Sequence, residues 1–354
     1  MTFDPNGVGI ANGNLFGFPV TEEEATIVIT PVPWDATASY GKGTSKGPQA
    51  VLDASPQLDF FHPRLEDAWK TKVFMSPVSQ EWKKINDELE ADIMDYIQFL
   101  ENGGDIAQNP AFQTFVKTVN ETHLALKNNL KERCLELMKL GKIPAVLGGE
   151  HSVPLGLMEA LDEQGQSFGI LHIDAHADLR NAYENFEQSH ASIMFNAVKN
   201  CKHLTKLVQV GVRDVAQSEM DFSRNSNGRI KTFLDLDIKQ EAFQGKPWAK
   251  KVEEIIDELQ ENVYISFDID GLRPYLCPNT GTPVAGGFEL EEVTYLLFQL
   301  IERGKRIIAF DLNEVVPEPD GGDWNANVGA RALWNLICVT EKSRRLYGAF
   351  PNFN

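Results

Sequence analysis

A chain of 354 residues with 42% hydrophobic side chains has ample material for an α/β core, and a formal charge of −18 argues against a nucleic-acid backbone as partner. That acidity mildly favours cationic ligands by long-range steering, although solubility alone accounts for most of it. Four scattered cysteines without a Cys-x-x-Cys point to a reducing, cytoplasmic setting, as do an N-terminus (MTFDPNGVGIANGN) without signal-peptide character and the absence of any apolar run near the roughly 20 residues of a membrane span.

Residues 1–24, rich in Gly and Asn, read as an arm, ordered or flexible. Thr26–Pro31 is a β-branched run closing on proline, a first strand. The next segment, WDATASYGKGTSKGPQAVLDAS, is a loop punctuated by Gly41, Gly43, Gly47 and Pro48 that runs into a helical pattern. It is neither GxGxxG nor a Walker loop, so phosphate binding gains little support. Residues 80–140 are predicted to be an enlarged helical segment: one amphipathic helix closed by Gly103–Gly104, then a second from about Pro110 to near Gly141. Asn120 and His123 read as exposed polar residues of that second helix.

Beyond it, strand-like runs at Ile143–Leu147, Phe168–Ile173, Lys206–Val212, Arg229–Phe233, Val263–Phe267 and Arg306–Leu312 alternate with helical stretches such as Leu155–Glu163, Ala191–Lys199, Trp248–Glu261 and Leu290–Glu302. This alternation predicts a parallel sheet covered on both faces. No repeat, low-complexity tract or linker divides the chain, so residues 1–354 are read as a single domain. The long loops Thr37–Lys46 and Gly271–Gly287 are expected to carry function.

Three segments concentrate the chemistry: GGEHSVPLG (148–156), LHIDAHADLR (171–180) and SFDIDGLRP (266–274). They offer His151, Asp174, His176, Asp178, Asp268 and Asp270. In an extended chain, Asp174, His176 and Asp178 point to one side, as do Asp268 and Asp270. Each set follows an apolar run and so lies at the end of a buried strand, where open α/β sheets place active sites. Burying four carboxylates together without cations is severely unfavourable. Oxygen and imidazole donors without thiolate suit Mn²⁺, Fe²⁺, Ni²⁺ or Zn²⁺ better than Ca²⁺ or Mg²⁺. Two such ions ~3.5–4 Å apart would hold a hydroxide between them, which makes the chain a hydrolase. His172 is read as facing away from Asp174 and His176, a core or supporting residue and not a ligand. His62 and His203 lack partners at ligand spacing.

Together these residues resemble the ureohydrolase family of arginases, agmatinases, guanidinobutyrases and formimidoylglutamases. The likeness runs from PWDATASYGKGTSKGPQAVLDAS to the final GARAL helix, with GGEH, DAHADLR, SFDID and TGTPVAGG (280–287) in the family's order. Two positions depart from the pattern. Glu150 stands where the first motif usually has Asp, and Arg273-Pro274 stands where the third continues with Asp-Pro, which bears on loop packing or a subunit contact.

The resemblance implies a three-layer α/β/α domain with an eight-stranded parallel sheet and two divalent ions, Mn²⁺ with Ni²⁺ as the alternative. His151 and Asp178 would complete the first ion, His176 and Asp270 the second, and Asp174 and Asp268 would bridge. His190 in QSHAS would relay protons near the leaving amine, Asp178 would pass the hydroxide proton, Glu314 would bind the guanidinium, and Thr282 would face the substrate. The family assembles as trimers or hexamers, and the 80–140 segment, long for the family, would extend or obstruct such an assembly surface. The loop DLRNAYENFEQSH is closest to the agmatinase pattern, which implies agmatine as substrate and putrescine and urea as products. Glu184 and Glu187 would meet the far amine or remain solvated, and Arg180 would brace the loop. Guanidinobutyrate, arginine, guanidine and formimidoylglutamate are the alternatives, the small ones favoured if Trp324 narrows the pocket. A one-zinc deacylase and a non-catalytic family member are the readings from other classes.

Overall fold

A computed structural model describes residues 3–348 of the chain; residues 1 and 2 of the expected arm, and 349–354, lie outside the described residues. The strands are β1 (Ile27–Val32), β2 (Val73–Met75), β3 (Ile143–Gly148), β4 (Phe168–Ile173), β5 (Leu204–Val212), β6 (Ile230–Leu234), β7 (Asn262–Asp268) and β8 (Arg306–Asn313). They form one sheet in the order β2-β1-β3-β8-β7-β4-β5-β6, and every pairing is parallel. The three-residue edge strand β2 is too short to carry a periodic signal, and it is the one strand the sequence reading lacks.

The helices are α1 (Gly47–Ala54), α2 (Gln80–Glu101), α3 (Pro110–Lys139), α4 (Leu155–Glu163), α5 (Ile193–Asn200), α6 (Gln217–Arg224), α7 (Asp235–Phe243), α8 (Trp248–Asp257), α9 (Leu290–Glu302) and α10 (Trp324–Tyr347). Two large apolar clusters flank the sheet. Leu171, Ile173, Ile265 and Phe267 pack with α1 and α8–α10, whereas Phe168, Ile170 and Tyr264 pack with α2–α5. Alternate residues of one strand thus serve opposite layers, and this is why the strands read as continuous apolar runs. The architecture is three-layer α/β/α, as the resemblance implies.

The arm is ordered where it meets the core: Leu15, Phe16 and Phe18 are buried, and the Phe16 and Phe18 rings pack on Phe60 and Trp334. The 80–140 segment is two long helices with clear start signals. The Ser79 side chain caps α2 through the Trp82 amide, and Asn109 caps α3 through the Phe112 amide with Pro110 in the first turn. Among the described residues, no helix is long and apolar enough to cross a membrane.

Candidate metal centre

The neighbouring central strands β3, β8, β7 and β4 all end on one side of the sheet, and the segments that follow them carry the charged groups. His151 follows β3, Asp174 follows β4, Asp268 closes β7, and Glu314 follows β8. The structure brings all six sequence-predicted donors together. His151 Nδ1 lies 2.9 Å from Asp174 Oδ2, 3.3 Å from Asp178 Oδ2 and 3.2 Å from Asp268 Oδ2. His176 Nδ1 lies 3.0 Å from Asp270 Oδ2 and 3.4 Å from Asp174 Oδ1. Donor atoms of His151, His172, Asp174 and Asp178 form one group within ion-binding reach, and those of Asp174, His176 and Asp270 form a second, with Asp174 common to both.

Backbone amides set the carboxylates. Asp174 Oδ1 accepts from the His176 amide, Asp270 Oδ1 from Ala175, and Asp268 Oδ1 from Asp270. Behind His151, Nε2 is 2.9 Å from Ser266 Oγ, which donates to Asp311, itself bonded by Tyr264. That chain occupies Nε2 and leaves Nδ1 facing the carboxylates, an arrangement characteristic of metal-ligating histidines. Asp178 (φ 54°) adopts the left-handed region, so the strand-like alternation of Asp174, His176 and Asp178 does not continue to its end.

By their own charges these side chains are electrostatically frustrated. Burial pushes the carboxyls of Asp178 and Asp268 well above the usual carboxylate range, and neighbouring carboxylates add to it. Burial would lower the imidazoles, but Asp174 and Asp268 raise His151 well above its usual value, and Asp270 and Asp174 lift His176 to about 12. Such a set holds protons where cations belong. The donors therefore fit divalent ions in both number and chemistry.

Glu314 sits beside the cluster at φ 67°, another left-handed non-glycine residue. Its Oε1 accepts from the His151 amide at 2.8 Å, while Oε2 is buried with no partner. A Cβ on Gly281 would come within 2.7 Å of that free oxygen, so glycine keeps the space in front of it open. Burial, then Asp268 and Glu150, push the Glu314 carboxyl well above its ordinary value. His190 is neutral: burial, then His176 and Lys42, lower it to about 3. The Ser39 amide donates to its Nε2 at 3.3 Å, which places the lone pair on that nitrogen. A cavity of 150 Å³ opens beside His190, lined in part by Ser39, His176, Asp178, Tyr183 and Thr282; Glu314 lies outside its lining, beside the acidic cluster. A larger cavity of 440 Å³, between the 58–64 loop and α9 and α10, contains none of the candidate residues, and convergent charge identifies the smaller one as the site.

Several readings need correction. His172 does not face away; its Nε2 is 2.8 Å from Asp174 Oδ2, on the same side as the cluster. Residues 172 and 174 share strand parity, so this was visible in the spacing. Gln209 donates to His172 Nδ1, so Nε2 carries the proton and orients Asp174. His123 and Asn120 are not solvent-facing helix residues without a role. His123 is buried and bonds Ser152 and Gln188, whereas Asn120 bonds the backbone of Asn185 and Glu187.

Glu150, at the departure from the family motif, is fully buried and joins three loops: it accepts from Thr37, Ser152 and the His190 amide. Arg273 pairs with Glu289 at 2.9 Å, a bond within its own loop region. Trp324 is 49% exposed, bonds the Tyr275 carbonyl, and is not among the cavity residues. Arg180 braces its loop as expected, over the Tyr183 ring and 3.8 Å from Glu219. Neither Glu184 nor Glu187 lines the cavity. Thr282 Oγ1 reaches Asp270 Oδ2 at 3.4 Å. Sequence reasoning missed Arg213, whose guanidinium donates to the carbonyls of Gly211, Asp270, Leu272 and Val284 and ties the 271–287 loop to the cluster.

The profile of the Arginase family matches residues 25–338. The N(1)-aminopropylagmatine ureohydrolase of Thermus thermophilus is 29% identical over 311 residues, 88% of each chain. The enzyme of the same name from Thermococcus kodakarensis is 30% identical over 332 residues, covering 93% of this chain and 96% of its own. Among solved structures, the agmatine ureohydrolase of Thermoplasma volcanium superposes with a TM-score of 0.70 at 22% identity, covering 96% of this chain and 97% of that one.

Proposed function

The chain belongs to the arginase family as a metal-dependent ureohydrolase of the agmatinase-like branch, and from that premise we propose that it cleaves a small cationic alkylguanidine, agmatine first, to urea and an amine (putrescine from agmatine). The observation that carries the substrate class is Glu314, a buried carboxylate with one oxygen unpartnered beside the acidic cluster. A planar guanidinium satisfies such an oxygen through parallel N–H donors. Aminopropylagmatine is the second reading, favoured by the names of the relatives above. The one-zinc deacylase falls with the family match, and the presence of every donor, His190 and Glu314 disfavours a non-catalytic chain.

In this reading His151 and Asp178 would hold one divalent ion and His176 and Asp270 the other, with Asp174 and Asp268 available to both. Mn²⁺ is the proposed metal and Ni²⁺ the alternative, from donors without thiolate. When bound, such an ion pair supplies hydroxide at neutral pH. Glu314 then holds the guanidinium carbon in a near-attack pose. Asp178 takes the proton released on attack. His190, neutral and with its Nε2 lone pair turned to the Ser39 amide, would first take up a proton at that nitrogen and then hand it to the departing amine. Thr282 steadies Asp270. We place the enzyme in the cytoplasm as a homo-oligomer, a trimer or hexamer; the buried unpaired cysteines support the compartment, and light scattering reads the assembly.

A urea assay over agmatine, aminopropylagmatine, guanidinobutyrate, arginine, formimidoylglutamate (read as formamide) and guanidine, with Mn²⁺ and then Ni²⁺, tests the reading. Agmatine or aminopropylagmatine should give the highest kcat/KM. A maximum on an anionic-tailed substrate would overturn it.

Chelation provides a pH test. Above about pH 7.5, a unit past the unfolded histidine value of about 6.5, the lowered His62, His123, His172 and His190 are close to neutral in both states and contribute little. In that window the raised Asp178, Asp268 and Glu314, and the raised His151 and His176, keep more protons folded than unfolded. Stability then falls as pH rises. The metal-free protein should lose Tm between about pH 7.5 and 8.5, and the gap to the metal-loaded protein should widen, because the donors must be deprotonated to bind. Differential scanning calorimetry checks this; a metal-free Tm that rises across the window would contradict the assignment.

A further inference from the structure

The cavity wall formed by Arg180 and Tyr183 belongs to a loop that leaves the site and returns at His190. At its far point Tyr183 and Phe186 exchange backbone hydrogen bonds of 3.1 and 2.8 Å around Glu184 (φ 52°) and Asn185 (φ 65°). Two successive positive φ values without glycine are strained, and surrounding contacts must hold them. Those contacts come from α2 and α3. Phe186 is fully buried in a satellite cluster with Tyr96, Val116 and Val119, 5.7 Å from the Tyr96 ring. The Tyr96 hydroxyl donates to the Glu184 carbonyl at 2.9 Å and accepts from the Asn185 side chain at 2.7 Å. Asn120 donates to the Asn185 carbonyl and accepts from the Glu187 amide. The same helices grip the facing loop, where Asn86 of α2 exchanges two bonds with Asp35.

Building on the hydrolase reading, we propose that the α2–α3 pair is a specificity device. It clamps the 181–187 turn through Phe186, Tyr96 and Asn120, and so sets the wall that meets the substrate beyond its guanidino group. The clamp acts separately from His190, whose amide is held by Glu150 and whose ring is held by Ser39. Arg180 is pinned at the other end by its amide on the Ala191 carbonyl. Tyr96, Asn120 and Phe186 are therefore positioning residues, and their loss falls on binding of the substrate tail.

Tyr96→Phe and Phe186→Ala, measured on the metal-loaded enzyme, test it. KM for agmatine or aminopropylagmatine should rise ~5–10-fold, through two lost hydrogen bonds in Tyr96→Phe and lost packing in Phe186→Ala. kcat should stay within about twofold and metal content should be unchanged. Amide exchange at 183–187 should quicken by a similar factor, and Phe186→Leu should recover most of both effects. Unchanged KM and exchange, or a fall in kcat with KM intact, would overturn the clamp. If the wild-type protein hydrolyses no guanidino compound, the hydrolase reading fails; unaltered exchange in Tyr96→Phe then separately refutes the anchoring.

Discussion

Asp268→Ala is expected to cut urea release about a thousandfold and to leave fewer than two ions per chain, since removing one member of a buried charge cluster costs about 3–5 kcal/mol. Asp268 closes β7 with Oδ1 bound to the Asp270 amide and Oδ2 facing His151. It is buried, and in the metal-free chain its carboxyl is pushed well above the ordinary range by burial and by Asp270 and Asp174. The group therefore costs stability by itself and is an asset only beside a cation. Asp268→Asn separates the two effects. It keeps an oxygen for the Asp270 amide, so the metal-free variant should melt no lower than metal-free wild type while activity is lost. Elemental analysis and calorimetry on the two variants read both quantities. Full metal content with wild-type turnover in Asp268→Ala would end the bridging assignment.

Glu314→Gln should lower kcat/KM by a factor on the order of 10²–10³ while the chain still holds two ions, because breaking one half of a buried charge pair costs about 2–5 kcal/mol. Glutamine preserves volume, and its carbonyl still accepts from the His151 amide. What it loses is the anionic Oε2, the oxygen without a partner. In its place stands an NH₂ that faces the substrate's own N–H donors, so attraction becomes mismatch. The loss should appear in KM and kcat together, because the same fork that binds the ground state aims the carbon for attack. Steady-state urea kinetics with parallel metal analysis decides it. Near-normal kinetics would mean that the guanidinium is held elsewhere.

The legible part of the fold was its repetitive part. Long strands and amphipathic helices announce themselves by period, so β3, β4, β7, β8, α4 and α9 lie close to where the pattern puts them. The short elements escaped. β2 spans three residues, and α6 and α7 span eight and nine and carry mixed polarity. His172 does carry a signal, since it shares strand parity with Asp174 and so meets it on the same side.

By itself the sequence determined the fold class and grouped six candidate donors in three motifs, because hydrophobic period and motif spacing are local properties of the chain. Tertiary structure alone decided which atoms meet. His123 reaches Ser152 across 29 residues, Tyr96 reaches Glu184 across 88, and Ser39 reaches His190 across 151. The same holds for the left-handed backbones of Asp178 and Glu314, imposed by the contacts that surround them. A contact between distant residues leaves no periodic trace in either segment, so it becomes readable only when the sheet carries both to the same edge.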